Sequence, residues 1–292
     1  MILCFDVGGT FVKHGLFDGN GILIEKSKTA TKCDTKENFL NQIKEIVVDY
    51  EKRVDLEALC FSFPGAIDGK NGVTVLSGAI NPLKGEPFVA LLKEKLEKDY
   101  PIFIENDGNC AALAEQYSGN GQGCDNFVVM TLGTGIGGGI ILDGNLYPGG
   151  RFLAGEFGMT LLPTETSEKE IIGKYAATSG LLRIYRKEMN YDDNVEVAGE
   201  DIFLEDTVEK QRTLLTWSEY VSMVIYNITV MVNPEKILIG GGVSKNPKLL
   251  PLVTKPLQDY MLWDYFGAEI GICKHQDDAG LIGAYYLAKR DK

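Results

Sequence analysis

The stretch Asp6-Val7-Gly8-Gly9-Thr10 follows directly on the apolar run Ile2-Leu3-Cys4-Phe5. This order predicts a strand that ends at an acidic residue and then turns through two glycines and a threonine. Glycine lets backbone N–H groups approach a phosphate closely, and the threonine hydroxyl adds a donor. An aspartate beside them can hold the accompanying metal ion, directly or through water. The stretch therefore predicts a phosphate-binding turn, with a purely structural glycine-rich hairpin as the alternative.

The residues after this turn indicate what kind of phosphate site it is. Phe11 to Phe17 alternates as a returning strand does, and Gly19-Asn20-Gly21 is typical of the next turn. A dinucleotide-binding loop needs a helix immediately after its glycines. We therefore predict a β-hairpin. Lys13 on its second strand is the nearest cation for a phosphate, and a solvated hairpin lysine is the alternative interpretation.

Two further glycine clusters follow apolar strands later in the chain. Val128–Leu132 runs into Gly133-Thr134-Gly135-Ile136-Gly137-Gly138-Gly139, and Lys236–Ile239 runs into Gly240-Gly241-Gly242. The earlier of these repeats the pattern of strand, glycine–threonine turn and strand. Two such hairpins facing each other across a cleft would grip a polyphosphate from both sides. The third cluster would let an adenosine lie flat on the backbone.

Together these junctions resemble the ROK family of sugar kinases, within the actin-like ATPase superfamily. The resemblance covers nearly the whole chain. The sequences of Arg151–Gly158 and Ser77–Ile80 are most similar to those of the β-glucoside kinase branch. The matching segments, in the family's order and spacing, are Asp6–Thr10 with Lys13, Ser62–Asp68, Glu105–Asn109, Leu132–Gly139, Ala154–Gly158, Gly240–Val243 and Asp278–Ala284.

The resemblance implies an α/β chain with the two-lobed actin-like ATPase (ribonuclease H-like) fold. Each lobe would have a mixed sheet flanked by helices, with a cleft between the lobes. We predict a small N-terminal lobe at 1–112, joined by a C-terminal helix at 280–292, and a large lobe at 113–279. A length of 292 residues suits two such lobes. The resemblance also implies a homodimer.

The implied cofactors are ATP and Mg²⁺. The residues expected to bind the nucleotide are Asp6, Gly8, Gly9, Thr10, Lys13, Gly133, Thr134, Gly135, Gly240, Gly241 and Gly242. Asp6 is also expected to hold Mg²⁺, directly or through water.

Hydrophobic periodicity predicts the secondary structure in outline. Strands are expected near 2–6, 11–17, 22–28, 58–63, 102–105, 127–132, 137–142, 236–239 and 269–273. Helices are expected around 39–50, 88–98 and 109–117, from Glu170 onward, and around 211–232 and 280–289. The acidic segment 192–206 is interpreted as a solvated loop or helix edge.

Composition limits the partners and the compartment. A net charge of −12 argues against a nucleic-acid surface, so phosphate must be bound by local N–H groups, a metal and a few lysines. Six cysteines occur without a C-x-x-C pair. No secretory signal precedes the first strand, and no apolar run approaches the ~18–20 residues that span a bilayer. We predict a reduced, cytoplasmic protein that does not bind membranes.

Asp107 is the predicted catalytic residue. The strand Ile102–Glu105 ends at Asn106, and a helix is expected within about two residues, a junction where open α/β sheets place their ligands. Phosphoryl transfer to an alcohol needs an oriented hydroxyl and a nearby base. We expect Asp107 to accept the proton of the sugar 6-hydroxyl and Asn106 to orient neighbouring hydroxyls. The alternative is that Asn-Asp-Gly is only a turn and helix cap.

Two further residues are expected to contact the sugar. Glu156 lies between Gly155 and Phe157-Gly158, and its carboxylate can accept from vicinal hydroxyls. Gly65, after Pro64, is expected to bring backbone groups to the sugar. Asp68 is expected to stabilise the turn Ile67-Asp68-Gly69.

The chain departs from the family pattern after Gly158. Many ROK kinases carry there a histidine and a cysteine cluster that binds structural zinc, whereas residues 159–175 contain neither Cys nor His. We therefore expect no zinc site of that kind. An alignment by eye also places Gly173 where the family usually has a glutamate at the anomeric side of the sugar. Without that carboxylate, a β-linked group could protrude, which favours a β-glucoside such as cellobiose as acceptor.

Three functional classes are compatible with glycine-rich nucleotide hairpins of this kind. An ATP-dependent sugar 6-kinase is preferred, with N-acetylmannosamine or glucose as the alternative acceptors. A ROK-type transcriptional repressor would carry a DNA-binding segment before Asp6, and the first strand leaves no room for one. An actin-like structural protein would hydrolyse ATP without a sugar, and sugar-stimulated ADP release would distinguish a kinase from it.

Overall fold

The computed structural model describes residues 1–162, 169–192, 194–204 and 207–290. The strands within these ranges are β1 (Ile2–Val7), β2 (Phe11–Phe17), β3 (Leu23–Ala30), β4 (Ala58–Phe63), β5 (Ile67–Asp68), β6 (Val73–Thr74), β7 (Ile102–Asn106), β8 (Phe127–Leu132), β9 (Ile136–Leu142), β10 (Asn145–Leu146), β11 (Leu161–Leu162), β12 (Glu170–Ile171), β13 (Lys236–Gly240) and β14 (Glu269–Ile272).

The helices lie between groups of these strands along the chain. They are α1 (Lys36–Glu51), α2 (Phe88–Lys95), α3 (Asp107–Ser118), α4 (Gly173–Ala176), α5 (Thr178–Glu188), α6 (Gly199–Leu204), α7 (Val208–Val232), α8 (Leu249–Thr254), α9 (Trp263–Phe266) and α10 (Ala279–Leu287).

The chain divides into two compact units. Unit 1 comprises Met1–Ser118, Pro148–Ala154 and Asp278–Lys292, and unit 2 comprises Gly119–Tyr147 and Gly155–Asp277. The domain boundaries predicted from the sequence, after residue 112 and before residue 280, stay a prediction.

Each unit is built on a five-stranded mixed sheet. The strand order is β3-β2-β1-β4-β7 in unit 1 and β10-β9-β8-β13-β14 in unit 2. In both sheets the hairpin strands pair antiparallel. In unit 1, β4 pairs parallel with β1 and β7 pairs parallel with β4; in unit 2, β13 pairs parallel with β8 and β14 pairs parallel with β13. The sheet of unit 1 is therefore repeated in unit 2 with the same connectivity.

A cluster of aromatic side chains lies within the largely aliphatic core of unit 1. β4 is buried along its whole length because it lies between β1 and β7 and is covered on both faces. The Phe5 and Phe61 rings stack with centroids 4.5 Å apart, and Phe88 meets Phe61 edge-on at 5.1 Å. α1 covers this cluster, and Thr35 caps its N-terminus through a hydroxyl that accepts from the Asn38 N–H.

The long helix α7 anchors unit 2. Thr207 caps its first turn by accepting from the Lys210 N–H, and Asn233 ends it in the left-handed conformation. Trp217 on this helix is fully buried, and its indole N–H donates to the carbonyl oxygen of Ala176 at 2.9 Å. The indole therefore ties α7 to the segment that leads into α5.

The predicted elements are found, with local differences at their ends. α3 begins at Asp107, within the two residues after Asn106 where a helix was predicted, because the Asn106 side chain caps it. Helix does not start at Glu170, since Glu170–Ile171 pairs as β12 with β11 and α4 begins at Gly173. The acidic segment 192–206 contains α6, and residues 193, 205 and 206 of that segment lie outside the described residues. Among the described helices, none combines the length and apolarity needed to cross a membrane.

Candidate active site

The parallel strands of unit 1 bring three polar residues into register. Asp6 on β1 is aligned with Ser62 on β4, and Ser62 is aligned with Glu105 on β7. All three lie next to the carboxyl ends of their strands, the edge where open α/β sheets bind ligands. The three positions are far apart in sequence, and only the pairing of the strands brings them together.

Both carboxylate oxygens of Asp6 have protein partners. The Ser62 hydroxyl donates to Oδ1 at 2.9 Å, and the Lys13 ammonium lies 3.1 Å from Oδ2. Gly280, near the start of α10, borders this carboxylate so closely that a Cβ there would lie 2.4 Å from Oδ1. Lys13 is therefore held beside Asp6 and is not only a solvated hairpin residue.

The turn between β1 and β2 is the three-residue segment Gly8-Gly9-Thr10. The Gly8 N–H donates to the carbonyl oxygen of Phe11 at 2.9 Å, so this donor closes the hairpin. Gly9 and Thr10 are exposed at the tip, and a Cβ on Gly9 would lie 2.7 Å from the Cβ of Ala79. The part of the turn that a phosphate could contact is thus the Gly9–Thr10 end.

Asn106 and Asp107 occupy the junction between β7 and α3. Asn106 caps the helix: its Oδ1 accepts from the Asn109 N–H at 3.0 Å, and its Nδ2 donates to Asp107 Oδ1 at 3.0 Å. The Gly108 N–H also donates to Asp107 Oδ1, at 2.9 Å. The capping interpretation therefore applies to Asn106, while Asp107 presents an exposed carboxylate at the helix N-terminus. A helix N-terminus carries a partial positive charge, which attracts anionic groups.

Gly65 lies directly against this junction. The Asn106 Nδ2 donates to its carbonyl oxygen at 2.9 Å. Gly65 has a φ of +96°, and a Cβ would lie 2.2 Å from the carbonyl oxygen of Leu76, so only glycine fits. The structure thus brings Gly65, Asn106 and Asp107 together, and Asp68 holds its own turn by accepting from the Asn71 N–H at 3.1 Å.

A buried thiol lies within electrostatic reach of the acidic residues of unit 1. Burial raises the pKa of Cys110 well above its usual value, and the charges of Glu105, Asp6 and Asp107 raise it further. These carboxylates therefore share one region of unit 1. A thiol with a raised pKa stays protonated and is a poor nucleophile, so we assign Cys110 no chemistry.

In unit 2, the turn between β8 and β9 is Gly133-Thr134-Gly135. The Gly133 N–H donates to the Gly135 carbonyl oxygen at 3.0 Å, and the Thr178 N–H donates to the Gly133 carbonyl oxygen at 2.9 Å. Ser179 Oγ donates to the Thr134 carbonyl oxygen at 3.2 Å. The first residues of α5 are therefore fixed against this turn, and a helix N-terminus favours a bound anion.

A cavity of about 520 Å³ opens beside this turn in unit 2. Its size is in the range of small-molecule sites. The lining combines turn backbone with apolar side chains of α6 and of the segment after β13: Gly133, Thr134, Thr178, Gly199, Glu200, Phe203, Leu204, Gly242, Val243, Lys245, Asn246 and Pro247. The second and third glycine clusters therefore meet at one cavity.

The third glycine cluster is shaped by close backbone contacts. Gly241 has a φ of +91°, and a Cβ there would lie 2.2 Å from the Leu132 carbonyl oxygen. Gly240 is buried, and a Cβ on it would lie 3.1 Å from the Cys273 sulfur, whereas nothing lies within 4 Å at Gly242. Gly240 and Gly241 thus fix the backbone, and Gly242 faces the open cavity.

Glu156 lies in unit 2, just before a 3-10 turn at Phe157–Met159. Its side chain is exposed, yet desolvation by the surrounding protein raises its pKa. The flanking glycines pack tightly: a Cβ on Gly155 would lie 2.2 Å from the Gly138 carbonyl oxygen, and one on Gly158 would lie 2.8 Å from that of Ile136. The glycines therefore hold the Glu156 segment against β9.

Sequence reasoning gave no role to several residues that the structure adds to the site. They are Ser62, Glu105 and Asn109 in unit 1, and Thr178, Ser179, Glu200, Phe203, Leu204, Asn246 and Pro247 in unit 2. Thr178-Ser179, the first two residues of α5, are residue types typical of a helix start, and this signal could have identified both of them.

The residues present fit Mg²⁺ held mainly by a nucleotide and water. In the described ranges, no group of three or more His, Cys, Asp or Glu side chains is arranged to hold a metal ion. Asp6 already has Ser62 and Lys13 as partners. This arrangement is compatible with an Asp6 carboxylate that binds a water ligand of the ion, since Mg²⁺ usually keeps several waters.

The chain is similar along nearly its whole length to proteins of one family. A model of the ROK family matches residues 2–291. A β-glucoside kinase of Listeria monocytogenes is 33% identical over 98% of this chain and 96% of its own length.

Two solved structures are similar over nearly their whole length. One is a Listeria monocytogenes protein proposed to be an N-acetylmannosamine kinase, which is 29% identical over 100% of this chain and 99% of its own, with a TM-score of 0.88. The other, a ROK family glucokinase from Streptomyces griseus in complex with glucose and AMPPNP, is 24% identical over 99% of each chain, with a TM-score of 0.84. These neighbours confirm the predicted fold class.

Proposed function

The chain belongs to the ROK family, and we propose that it is an ATP-dependent kinase that phosphorylates the 6-hydroxyl of a glucosyl unit, most suitably in a β-glucoside such as cellobiose. The observation that carries the proposal is the Asp107 carboxylate at the N-terminus of α3, fixed by donors from Asn106 and Gly108. An exposed carboxylate with a defined orientation is what a general base for an alcohol requires.

The proposed reaction gives each candidate residue a role. The 6-hydroxyl gives its proton to Asp107 while its oxygen forms a bond to the γ-phosphorus, and the bond from that phosphorus to the β,γ-bridging oxygen breaks to leave ADP. Asn106 and Gly65 orient the sugar, and the Glu156 carboxylate accepts from its hydroxyls. Mg²⁺, when bound with ATP, neutralises charge on the phosphates.

The cavity of unit 2 supports the nucleotide part of the proposal. Apolar side chains such as Phe203 and Val243 suit a base and ribose, and the Gly133–Gly135 turn with α5 suits phosphates. In unit 1, Lys13 beside Asp6 supplies a positive charge for the phosphates. The two hairpins belong to different units, and their predicted arrangement about the phosphates stays a prediction.

Preference for a β-linked acceptor has support from Gly173. A Cβ at Gly173 would lie 2.9 Å from the Gly158 carbonyl oxygen, so a glutamate there would require the Glu156–Gly158 segment to move. The backbone as folded has no room for a Cβ at residue 173, which supports an acceptor whose anomeric end is less enclosed. The Listeria relative named β-glucoside kinase supports the same acceptor.

The test is a screen of ATP-dependent phosphorylation across free hexoses, N-acetylhexosamines, cellobiose and arbutin, with NMR to locate the phosphate on the product. We expect the highest kcat/KM for the β-glucosides and phosphate on the 6-oxygen. Activity on glucose or N-acetylmannosamine well above that on cellobiose and arbutin would replace the acceptor. ATP hydrolysis that no sugar stimulates would contradict the kinase proposal and favour an actin-like protein.

A further inference from the structure

Glu105 is the one acidic residue of the Asp6–Ser62–Glu105 register that has no part in the proposed reaction. Its side chain is only 8% exposed, and burial raises its pKa. A buried carboxyl group costs stability unless hydrogen bonds compensate for the lost water, so its position calls for a physical explanation.

The hydrogen bonds of Glu105 lead directly to the junction that holds Asp107. Glu105 Oε1 accepts from the Asn106 backbone N–H at 2.8 Å and from the Asn109 Nδ2 at 3.0 Å. One oxygen thus fixes the residue that caps α3 and also a side chain of the first helical turn. The connection continues because the Asn109 N–H donates to Asn106 Oδ1, at 3.0 Å.

Asn106 transmits this constraint to the base. Its Nδ2 donates both to Asp107 Oδ1 at 3.0 Å and to the Gly65 carbonyl oxygen at 2.9 Å. A rotation of the Asn106 side chain would therefore disturb Asp107 and Gly65 together. Oδ1 of Asn106 accepts a hydrogen bond and Nδ2 donates two, so these bonds define which way the side-chain amide is oriented.

The surroundings of Glu105 keep its carboxyl group in place. A Cβ on Gly69 would lie 2.7 Å from the Ile104 carbonyl oxygen and 3.5 Å from Glu105 Oε2, so the turn after β5 closes directly over the end of β7. The Glu105 carboxyl is buried beneath this turn, and its Oε1 is occupied by the donors from Asn106 and Asn109. These contacts favour an indirect effect on the reaction.

We propose that Glu105 is a positioning residue: through Asn106 and Asn109 it fixes the orientation of the Asp107 carboxylate. The proposal rests on the proposed function for the identity of the reaction. It gives a reason for the burial of an acidic side chain at this position: Glu105 constrains Asn106 and Asn109 more tightly than the helix backbone would by itself. A misplacement of a reacting group by about 1 Å costs on the order of 100-fold in rate.

The test compares two substitutions of similar size in the full-length protein. Glu105→Met removes the acceptor, and Glu105→Gln keeps one oxygen that can accept from Asn106 and Asn109. For Glu105→Met we expect kcat to fall about 10- to 100-fold with KM for ATP changed less than about twofold. Glu105→Gln should restore kcat to within about fivefold of the original protein, because acceptance and not charge is required.

Glu51 supplies the matched control. It is also a largely buried carboxylate of unit 1, and it accepts from the Tyr100 hydroxyl. Glu51→Gln should leave kcat and both KM values unchanged. A fall in kcat for this control equal to that of Glu105→Met would show a general effect on unit 1 and overturn the proposal.

A second readout does not depend on activity. The Gly108 N–H, which donates to Asp107 Oδ1 at 2.9 Å, reports where that carboxylate lies. In Glu105→Met, amide exchange measured by NMR should become at least about threefold faster at Gly108, while amides of the β4–β7 ladder keep their protection. Unchanged Gly108 exchange, with or without a loss of kcat, would overturn the proposal. Absence of sugar phosphorylation in the unsubstituted protein would refute the proposed function, and the exchange measurement would still decide the role of Glu105.

Discussion

The two units share one sheet topology, but their corresponding strand ends carry different chemistry. In unit 1 the fifth residue of β1 is Asp6, and it is aligned with Ser62 on β4. In unit 2 the fifth residue of β8 is Thr131, and it is aligned with Gly240 on β13. The same backbone therefore presents a charged, hydrogen-bonded group in one unit and small uncharged groups in the other. The backbone at the sheet edge determines where a ligand can bind. The side chains on that edge determine which chemical role the edge can have.

The largest effect is expected at Asp107, the proposed base of unit 1. Asp107→Asn preserves the hydrogen-bond acceptor for Gly108 but removes the base, so we expect kcat to fall about 10²- to 10⁴-fold with the fold intact. Steady-state sugar phosphorylation and circular dichroism provide the measurements. Asp68→Asn, in a turn of the same unit, is the control and should keep near-normal turnover. Turnover of Asp107→Asn close to that of the control would remove Asp107 from the mechanism.

The second experiment compares the corresponding positions of the two sheets. Asp6→Asn keeps an acceptor for Ser62 but loses the ion pair with Lys13, and we expect kcat to fall about 100-fold with a higher Mg²⁺ requirement. Thr131→Val changes the aligned position of unit 2 and should alter kcat less than about threefold. Kinetics over a Mg²⁺ titration measure both. Equal losses in the two variants would mean that the sheets do not divide the chemistry as proposed.

A third prediction concerns neighbouring glycines of unit 2. Gly241→Ala forces a Cβ onto the Leu132 carbonyl at a φ of +91°, so we expect a loss of about 1–3 kcal/mol in the free energy of unfolding. Gly242→Ala meets open space and should change that free energy by less than about 0.5 kcal/mol. Its methyl group points to the cavity and should raise KM for ATP instead. Urea denaturation and ATP kinetics separate the two effects, and a stability loss at Gly242 equal to that at Gly241 would contradict the backbone assignment.

The smallest predicted effect is a pH dependence of sugar binding. Desolvation raises the pKa of Glu156, and the charged form is the better hydroxyl acceptor. As the pH falls through this raised pKa, KM for the sugar should rise by at most about tenfold per pH unit, starting above the pH expected for an ordinary glutamate. Glu156→Gln should flatten this dependence, and a KM profile that the substitution leaves unchanged would exclude the role.

The same shift has a consequence for stability. A carboxyl group whose pKa is raised in the folded state stabilises that state at pH values below its unfolded pKa. The contribution is lost as the pH rises through the folded-state pKa. As the pH rises from the unfolded-state pKa to the folded-state pKa of Glu156, the free energy of unfolding of Glu156→Gln should therefore increase relative to that of the original protein. Urea denaturation at several pH values measures this difference.

The sequence predicted those parts of the molecule that depend on neighbouring residues. The alternation of Phe11–Phe17 predicted the returning strand of the hairpin, and the apolar run before Asn106 predicted a strand that leads into a helix. These features arise within short segments, where pattern and propensity agree. The junction that carries Asp107 was found in this way, whereas its choice as catalytic candidate depended on the other motifs of the chain.

Parts of the site that depend on distant pairing were missed. The contact of Ser62 with Asp6 requires β1 and β4 to pair in parallel in one register, which no local pattern determines. Phe203 and Leu204 line the cavity from α6, within a segment that composition indicated only as acidic and solvated. The hydrogen bond from the Gly8 N–H to the Phe11 carbonyl oxygen likewise could not be predicted without the backbone geometry.

The contact between α10 and α3 has a consequence for how the chain is made. A Cβ on Gly283 would lie 1.8 Å from the Cys110 carbonyl oxygen, so the two helices meet at the distance of their backbones. α10 follows unit 2 along the chain, although it packs on unit 1. During translation, the first unit to emerge from the ribosome therefore lacks a structural helix until the second unit has been synthesised, and its apolar surface must wait for that helix, a state in which chaperones commonly act.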